Sequence, residues 1–438
     1  MSQPQGEQDN AAAGAAARPL SGLSKQVVVV WLLAAAALPL AILLPAGGVT
    51  IANALGSAVG VALLAGVGVA YARRVRWAWH LMQAAMLVGV FLGGYWGNRW
   101  LFVGASVLMI YLYFSLYATE VRREFGVHTA PREVGILLVL LGMCSVLAIW
   151  HPPMLEGGNL LDLVRQFSIV GVMAVGMTMV IIIGGIDLSV GSVVAISGCL
   201  AALAIREWDC SIYLAITIAV LVGGAAGCFN GALISRFRMP PFVVTLGTMS
   251  MARSLAYVAT QARQVTVTGR AAQPAFSAIA WADTLGVPNP VWIMAIVVFV
   301  GHVFLRYTRT GRHIYYVGAN EEAARLSGLH VTAIKWLVYG LCGLLAGLAG
   351  MVQASRVATG QPTAGMGDEL RVIAAVIIGG ASFSGGVGTV LGALLGAAIM
   401  GVLLQGMVVL NVNPHWHGFV AGAVIIGAVA LDMLRRRR

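Results

Sequence analysis

The chain alternates long apolar runs with short polar interruptions, and the runs are longer than a water-soluble core uses. A stretch of roughly 18 or more mainly apolar residues is the length at which a helix crosses the hydrocarbon layer of a bilayer. By length and hydropathy the sequence holds about fourteen such segments. They centre on 27–46, 51–72, 78–97, 100–118, 134–150, 160–183, 190–205, 212–235, 241–260, 291–305, 335–354, 369–383, 385–410 and 416–433. Two regions, 160–205 and 369–410, are broken by glycines, so their passage through a membrane is not a simple crossing. The runs are continuous rather than alternating in ten-residue segments, which excludes a transmembrane β-barrel. The pattern predicts an all-α polytopic membrane protein.

Composition agrees. Of 438 residues, 59% are hydrophobic and 10% charged, whereas soluble proteins carry about 25% charged residues. The net charge of +11 raises nucleic acid as a partner, but the basic residues sit in short clusters beside apolar runs. These are Arg73, Arg74 and Arg76; Arg122 and Arg123; Arg236 and Arg238; Arg306, Arg309 and Arg312; and Arg435 to Arg438. With the N-terminus inside and strict alternation, every cluster falls on the cytoplasmic side, as do both termini, which is the positive-inside bias of a membrane protein. No stripe on a soluble face is available to nucleic acid. Residues 1–24 are polar and Ala-rich, the composition of a disordered cytoplasmic tail. The run from Val27 to Leu44 is long for a signal peptide and reads as an uncleaved first span. The polar linker at 119–133 divides a first module, 25–133 with about four spans, from a second at 134–438. The five cysteines show no metal or redox spacing.

Three polar connections stand out. Residues 261–288 are expected as a long outer loop, 306–334 as a charged inner stretch, and 355–368 (SRVATGQPTAGMGD) as a Gly-rich outer mouth or hinge.

Candidate chemistry concentrates at the glycine breaks. In GGIDLSVGS, Gly184 and Gly185 weaken a helix at membrane depth, which is tolerated only against protein or along a wet cavity. Asp187 is costly there unless paired or hydrated, which makes a place on a transport path its default reading. Ser189 and Ser192 add hydroxyls, and Gly191 permits close helix approach. The alternative is that Asp187 caps the next helix through the amides of Ser189 or Val190. A second stretch, Ala375 to Gly396, repeats the theme: Gly184–Gly185 matches Gly379–Gly380, Ser189 matches Ser384, and Gly191 matches Gly386. Paired interrupted helices point to a transport site between repeats, although the span count makes these copies parallel rather than inverted and the match is short and Gly-dominated. Thr245 and Gln353 are further candidates to line a path.

On the inner stretch 317–335, Asn320 can cap a helix whose first turn carries Glu321 and Glu322. Glu321 and Arg325 share a face, and Gly328 can end the helix after about two turns. A short capped helix between two spans suits docking to another protein, and a solvated loop is the competing reading. His415-Trp416-His417 follows Asn413-Pro414 at a span boundary and reads as an interface turn, not a metal pair. There is no GxxxxGK[ST] phosphate loop and no nucleophile–base constellation, so neither ATP hydrolysis by that route nor catalysis is expected of this chain.

The stretches IIIGGIDLSVGS, MPPFVVTLGTM, GRHIYYVGANEEAARLSGL and GQPTAGMGDELRVIAAVIIGGASFSGGVG, with the closing spans, resemble the permease subunits of ribose/xylose/arabinose-type ABC sugar importers. The likeness runs from about Glu133 to Arg435, with the motifs in one order. The resemblance implies a core of about ten spans with broken helices at 134–438, the first four spans being an addition to it. It implies a separate ATPase, carrying ATP and Mg, a periplasmic sugar-binding protein, and a second permease subunit, in a bacterial inner membrane. In that picture Asn320 to Gly328 are similar to the segment that touches the ATPase, the loops at 261–288 and 355–368 face the binding protein, and GGIDLS lines the path or shapes its gate. No cofactor is expected in this chain itself. An ion-coupled secondary sugar transporter is the alternative, but it would want several ionisable groups in the bundle, and Asp187 is nearly alone, with Glu369 near an outer boundary. A membrane-embedded enzyme would need convergent acid, base or metal groups.

Overall fold

The computed structural model describes residues 132–151, 153 and 157–436, together with Ser106. The expected tail at 1–24 and nearly all of the module at 25–133 lie outside the described residues. By contacts the chain divides into one unit of residues 1–134 and 144–157 and a second of 135–143 and 158–438; the architecture below is that of the second.

The helices are α1 (Arg132–Trp150), shared between the units, α2 (Gly157–Ile182), α3 (Val190–Trp208), α4 (Ile212–Arg236), α5 (Pro241–Thr260), α6 (Gln273–Trp281), α7 (Asn289–Tyr307), α8 (Arg309–Ala319), α9 (Glu321–Leu326), α10 (Val331–Val357), α11 (Asp368–Ile378), α12 (Val390–Val409) and α13 (Trp416–Arg436). Among the described residues, eight of these are long and apolar enough to cross a membrane. Helices α5 and α7 start at prolines, whose missing amide costs nothing in a first turn.

Helices α2 and α3 are enclosed, with Met173, Met177, Ile181 and Ile182 fully buried, whereas α4, α5 and α7 turn apolar side chains such as Leu221, Val258 and Phe299 outward. Outward apolar faces on spanning helices suit lipid, while the enclosed helices carry the polar work. Helix α4 meets α10 through a glycine stripe. A Cβ on Gly223 would overlap the Gly343 carbonyl, one on Gly227 the Tyr339 carbonyl, and one on Gly231 the backbone of Trp336. Small residues four apart let backbones touch, which is the strongest packing available where lipid removes the hydrophobic drive.

Two expectations are corrected. Residues 369–383 do not form a span: α11 has 11 residues, about 16 Å of rise against a hydrocarbon layer of about 30 Å. Gly379 caps it, and α12 begins only at Val390. Nor is 261–288 a plain loop. It contains β1 (Val265–Thr266), α6, and the ribbon of β2 (Asp283–Thr284) with β3 (Val287–Pro288). β1 pairs antiparallel with β4 (Thr359–Gly360), stitching the two connections expected outside into one cap. Ser355 Oγ donates to the Phe276 carbonyl at 2.6 Å, and Trp281 Nε1 to the Arg356 carbonyl at 2.8 Å. Two-residue strands and a nine-residue helix are too short to impose periodicity, so the sequence pattern does not reveal them.

Candidate functional site: the joined helix breaks

At the first break the chain stops a helix and immediately orders its own polar groups. Gly184, at φ +75°, donates to the Ile181 carbonyl, and Gly185 donates to Val180, each at 2.9 Å. This is the closure that needs a left-handed residue, hence glycine. Asp187 is only 1% exposed. Its Oδ1 accepts from the Ser189 amide at 2.9 Å and the Ser189 hydroxyl at 2.6 Å, just before α3 begins. The bond from the Ser189 amide that the capping reading expects is present, but the N-cap of α3 is Ser189 itself, whose side chain makes no capping bond. Asn230 of α4 donates to Ser189 Oγ at 3.0 Å and accepts from Thr248 of α5 at 2.5 Å. Tyr339 and Cys342 of α10 close the other side, the Tyr339 hydroxyl filling the space a side chain at Gly185 would take. A buried polar chain of this kind is stable only when its members satisfy one another. Its effect is to tie the α2–α3 break to α4, α5 and α10.

At the second break, Gly380 (φ +88°) donates to Ile377 at 2.9 Å and Ala381 to Val376 at 3.1 Å. Gly380 thus takes the part of Gly184, one position later than the match of Gly184 with Gly379. The following loop is held by backbone: Gly385 and Gly386 both have positive φ, and Thr389 Oγ1 caps α12 by accepting from Gly392 at 3.0 Å. The two breaks touch, the Gly386 amide donating to the Ile182 carbonyl at 2.8 Å. Helix α8 ends against this junction. A Cβ on Gly318 would overlap the Ile182 carbonyl and crowd the Gly386 amide. Tyr315 Oη donates to the Gly388 carbonyl at 2.7 Å.

Helix α9 follows directly. Asn320 Oδ1 accepts from the Ala323 amide at 2.9 Å, Arg325 pairs with Glu321 at 2.9 Å, and Gly328 (φ +83°) closes the helix. The capped helix is real. Lys335 of α10 reaches the other Glu321 oxygen at 2.7 Å. Leu326, 84% exposed, stands at its tip. A groove beside it is lined by Arg238, Pro240, Glu321, Arg325 and Lys335.

The segment 355–368 descends rather than staying at the mouth. Gly360 lies against Cys199 and Ala202 of α3, while Gly365 lies against Gly191, eight helical residues or about 12 Å further along. Arg253 of α5 holds it there, donating at 2.6 Å to both the Pro362 and Ala364 carbonyls. At the foot, Asp368 pairs with Arg371 at 2.9 Å.

The structure brings Gly184, Gly185, Asp187, Ser189 and Thr245 together, with Thr245 Oγ1 3.4 Å from the Ile186 carbonyl, and Ser192 is buried one turn into α3. Gly379 and Gly380 lie at the adjoining break. Ser384, matched with Ser189 in sequence but one position out of the register that Gly184 and Gly380 set, is exposed, whereas Ser189 is buried. Gln353 lies eleven residues along α10 from Cys342, about 16 Å away along the axis, and does not join the group. Sequence reasoning missed Asn230, Thr248, Tyr339, Arg253, Tyr315 and Gly318. A lone Asn and a lone Arg inside apolar runs were legible signals; the others act through neighbours distant in sequence.

Comparison with known proteins places this architecture. The family model described as branched-chain amino acid transport system / permease component matches residues 159–429. The chain is 40% identical over 300 residues to the ribose import permease protein of Escherichia coli K12, covering 68% of this chain and 93% of that protein. It is 40% identical over 301 residues to the ribose import permease protein of Bacillus subtilis 168, covering 69% and 92%. It is 36% identical over 317 residues to the L-arabinose ABC transporter permease protein of Azospirillum brasilense, covering 72% and 92%. No solved structure matches the chain. The chain belongs to this permease family and is a multi-pass membrane transport component rather than an enzyme.

Proposed function

We propose that this member of the permease family is the membrane subunit of an ATP-driven importer that carries a monosaccharide, whether pentose, hexose or polyol, across a bacterial inner membrane by alternating access. The observation that carries the reading is the 40% identity to a ribose import permease along 93% of that protein. The mechanism needs no catalytic residue in the chain, only different affinities for partners and sugar in each state. Its partners are a separate ATPase that binds ATP and Mg, a periplasmic sugar-binding protein, and a second permease subunit.

Within it, Asn320, Glu321, Glu322, Arg325 and Gly328 present α9 to the ATPase; the capped geometry and the exposed Leu326 support this. The joined breaks, with Gly184, Gly185, Asp187, Ser189, Ser192, Thr245, Gly379, Gly380 and Ser384, shape the gate. The β1–β4 cap faces the binding protein. Both termini are cytoplasmic, the core has about ten membrane-inserted segments counting α11, and residues 25–133 add a module to it.

The test is gentle purification of the tagged chain from its native membrane, with mass spectrometry of what accompanies it. An ATPase and a binding protein are expected, and the ligand of the latter names the sugar. Recovery of the chain alone, repeated in mild detergent and in nanodiscs, would overturn the reading in favour of an ion-driven carrier.

A further inference from the structure

At the junction between α8 and the two breaks, three segments far apart in sequence share one small backbone contact. Gly386 donates to Ile182 at 2.8 Å. Gly318 lies against both of those groups with no room for a methyl, and a Cβ at Gly385 would press on the Gly318 and Ile182 carbonyls and the Gly184 amide. Tyr315, one turn back on α8, bonds the Gly388 carbonyl at 2.7 Å. Ala319, the last residue of α8, packs on Gly386, and α9 begins two residues later at Glu321.

Helix α8 is itself firmly set. Thr308 caps it by accepting from the Gly311 amide at 2.9 Å, Ile314 and Val317 are buried, and Arg312 and Tyr316 face outward. A short helix buried on one side, capped at its start and held near its end by the Tyr315 hydroxyl and the close approach of Gly318 transmits displacement without bending, because packed interfaces are stiff and shift as units.

We infer that Tyr315 and Gly318 bind α8 to both helix breaks as one rigid body, so that displacement of α9 moves the ends of α2 and α11 and the start of α12 together. The inference rests on the reading of α9 as the ATPase-docking helix and adds what that docking moves. Tyr315 and Gly318 are positioning residues. They touch no substrate and act through Ile182, Gly386 and Gly388. The tie also accounts for the glycines, since only residues without a Cβ let three backbones meet at this distance.

The experiment uses the complete chain assembled with its co-purified ATPase in nanodiscs. Spin labels carried on unnatural amino acids are placed at exposed positions Tyr316 and Ser384, and in a second sample at Ser384 and Tyr213. Electron–electron distances are measured without nucleotide and with ATP bound. The expected result is a Tyr316–Ser384 distance that stays constant while the Ser384–Tyr213 distance changes. In Gly318→Ala the Tyr316–Ser384 distance becomes nucleotide-dependent, and Tyr315→Phe, which removes the bond to the Gly388 carbonyl, moves in the same direction. In proteoliposomes containing the binding protein and its sugar, sugar moved per ATP hydrolysed falls about fivefold or more in Gly318→Ala, the lower range of allosteric coupling. A Tyr316–Ser384 distance that changes in the unaltered protein, or a Ser384–Tyr213 distance that does not, overturns the tie. Should Gly318→Ala fail to reach the membrane, Tyr315→Phe and the unaltered protein carry the measurement. Failure of the ATPase to bind the unaltered chain defeats the docking reading instead, and the two failures are distinguishable.

Discussion

The two helix breaks begin alike and are held differently. Each stops its helix with a left-handed glycine, Gly184 or Gly380, and each then runs through small and polar residues to a new helix. The first is pinned by side chains: Asp187, Ser189, Asn230 and Thr248 form one buried chain from the break to α4 and α5. The second is held by glycines, by the Thr389 cap and by the Tyr315 hydroxyl on the Gly388 carbonyl; Ser384, which the sequence match sets against Ser189, is exposed, and the contact with the first break is a main-chain bond. One break is therefore cross-linked by side chains to α4 and α5, and the other is a loop that takes its position from α8 and the first break. The same local signal yields an anchor or a follower according to what surrounds it.

That contrast can be broken or sharpened by substitution. The largest effect is expected for Asp187→Ala, which strips two bonds from a buried carboxylate site and should cost about 3 kcal/mol, the upper range for hydrogen bonds to a charged group. Thermal unfolding of the purified chain in detergent reports it, and an unchanged midpoint would mean that the polar chain does not pin the break. Asn230→Ala should cost about 1–3 kcal/mol by leaving Ser189 and Thr248 without their shared partner. Near-additivity of Asn230→Ala and Asp187→Ala in a double-mutant cycle would contradict a single network, since coupled residues deviate by about 0.5 kcal/mol or more.

Gly184→Ala and Gly380→Ala test what the breaks share. Neither site has a neighbour close enough to crowd a methyl, so the cost is that of the left-handed backbone, about 1–2 kcal/mol at each. Unequal costs measured in the same unfolding assay would show that the likeness of the two stops is superficial. Smallest of all, Ser384→Ala should lie within about 0.5 kcal/mol of the unaltered chain, as exposed substitutions do. A large loss there would make Ser384 an anchor of the second break as Ser189 is of the first.

Much of this was legible along the chain, for identifiable reasons. Glycine pairs inside apolar runs announced both stops, because few other residues take a left-handed turn and membrane helices have little reason to end there otherwise. Asn320, Glu321, Arg325 and Gly328 announced α9 because caps and i,i+4 pairs are local. Asp187 was flagged by its cost in an apolar environment, and the same reasoning applied to Asn230 and Arg253 would have found them. The short α11 was misread as a span because hydropathy continues across Gly379–Gly380 even though the helix does not. The β1–β4 cap escaped because two residues carry no period.

Signals local to one segment therefore carry the apolar lengths that demand a membrane, the glycines that stop helices, the caps that start them, and the scarcity of ionisable groups that makes each one conspicuous. Which distant backbones meet is settled only when the helices pack. Gly318, Ile182 and Gly386 are joined because α8 ends where the stop of α2 and the loop before α12 come together. Contact between main chains leaves no residue-type signature beyond the absence of a side chain, and absence alone does not say what fills the space.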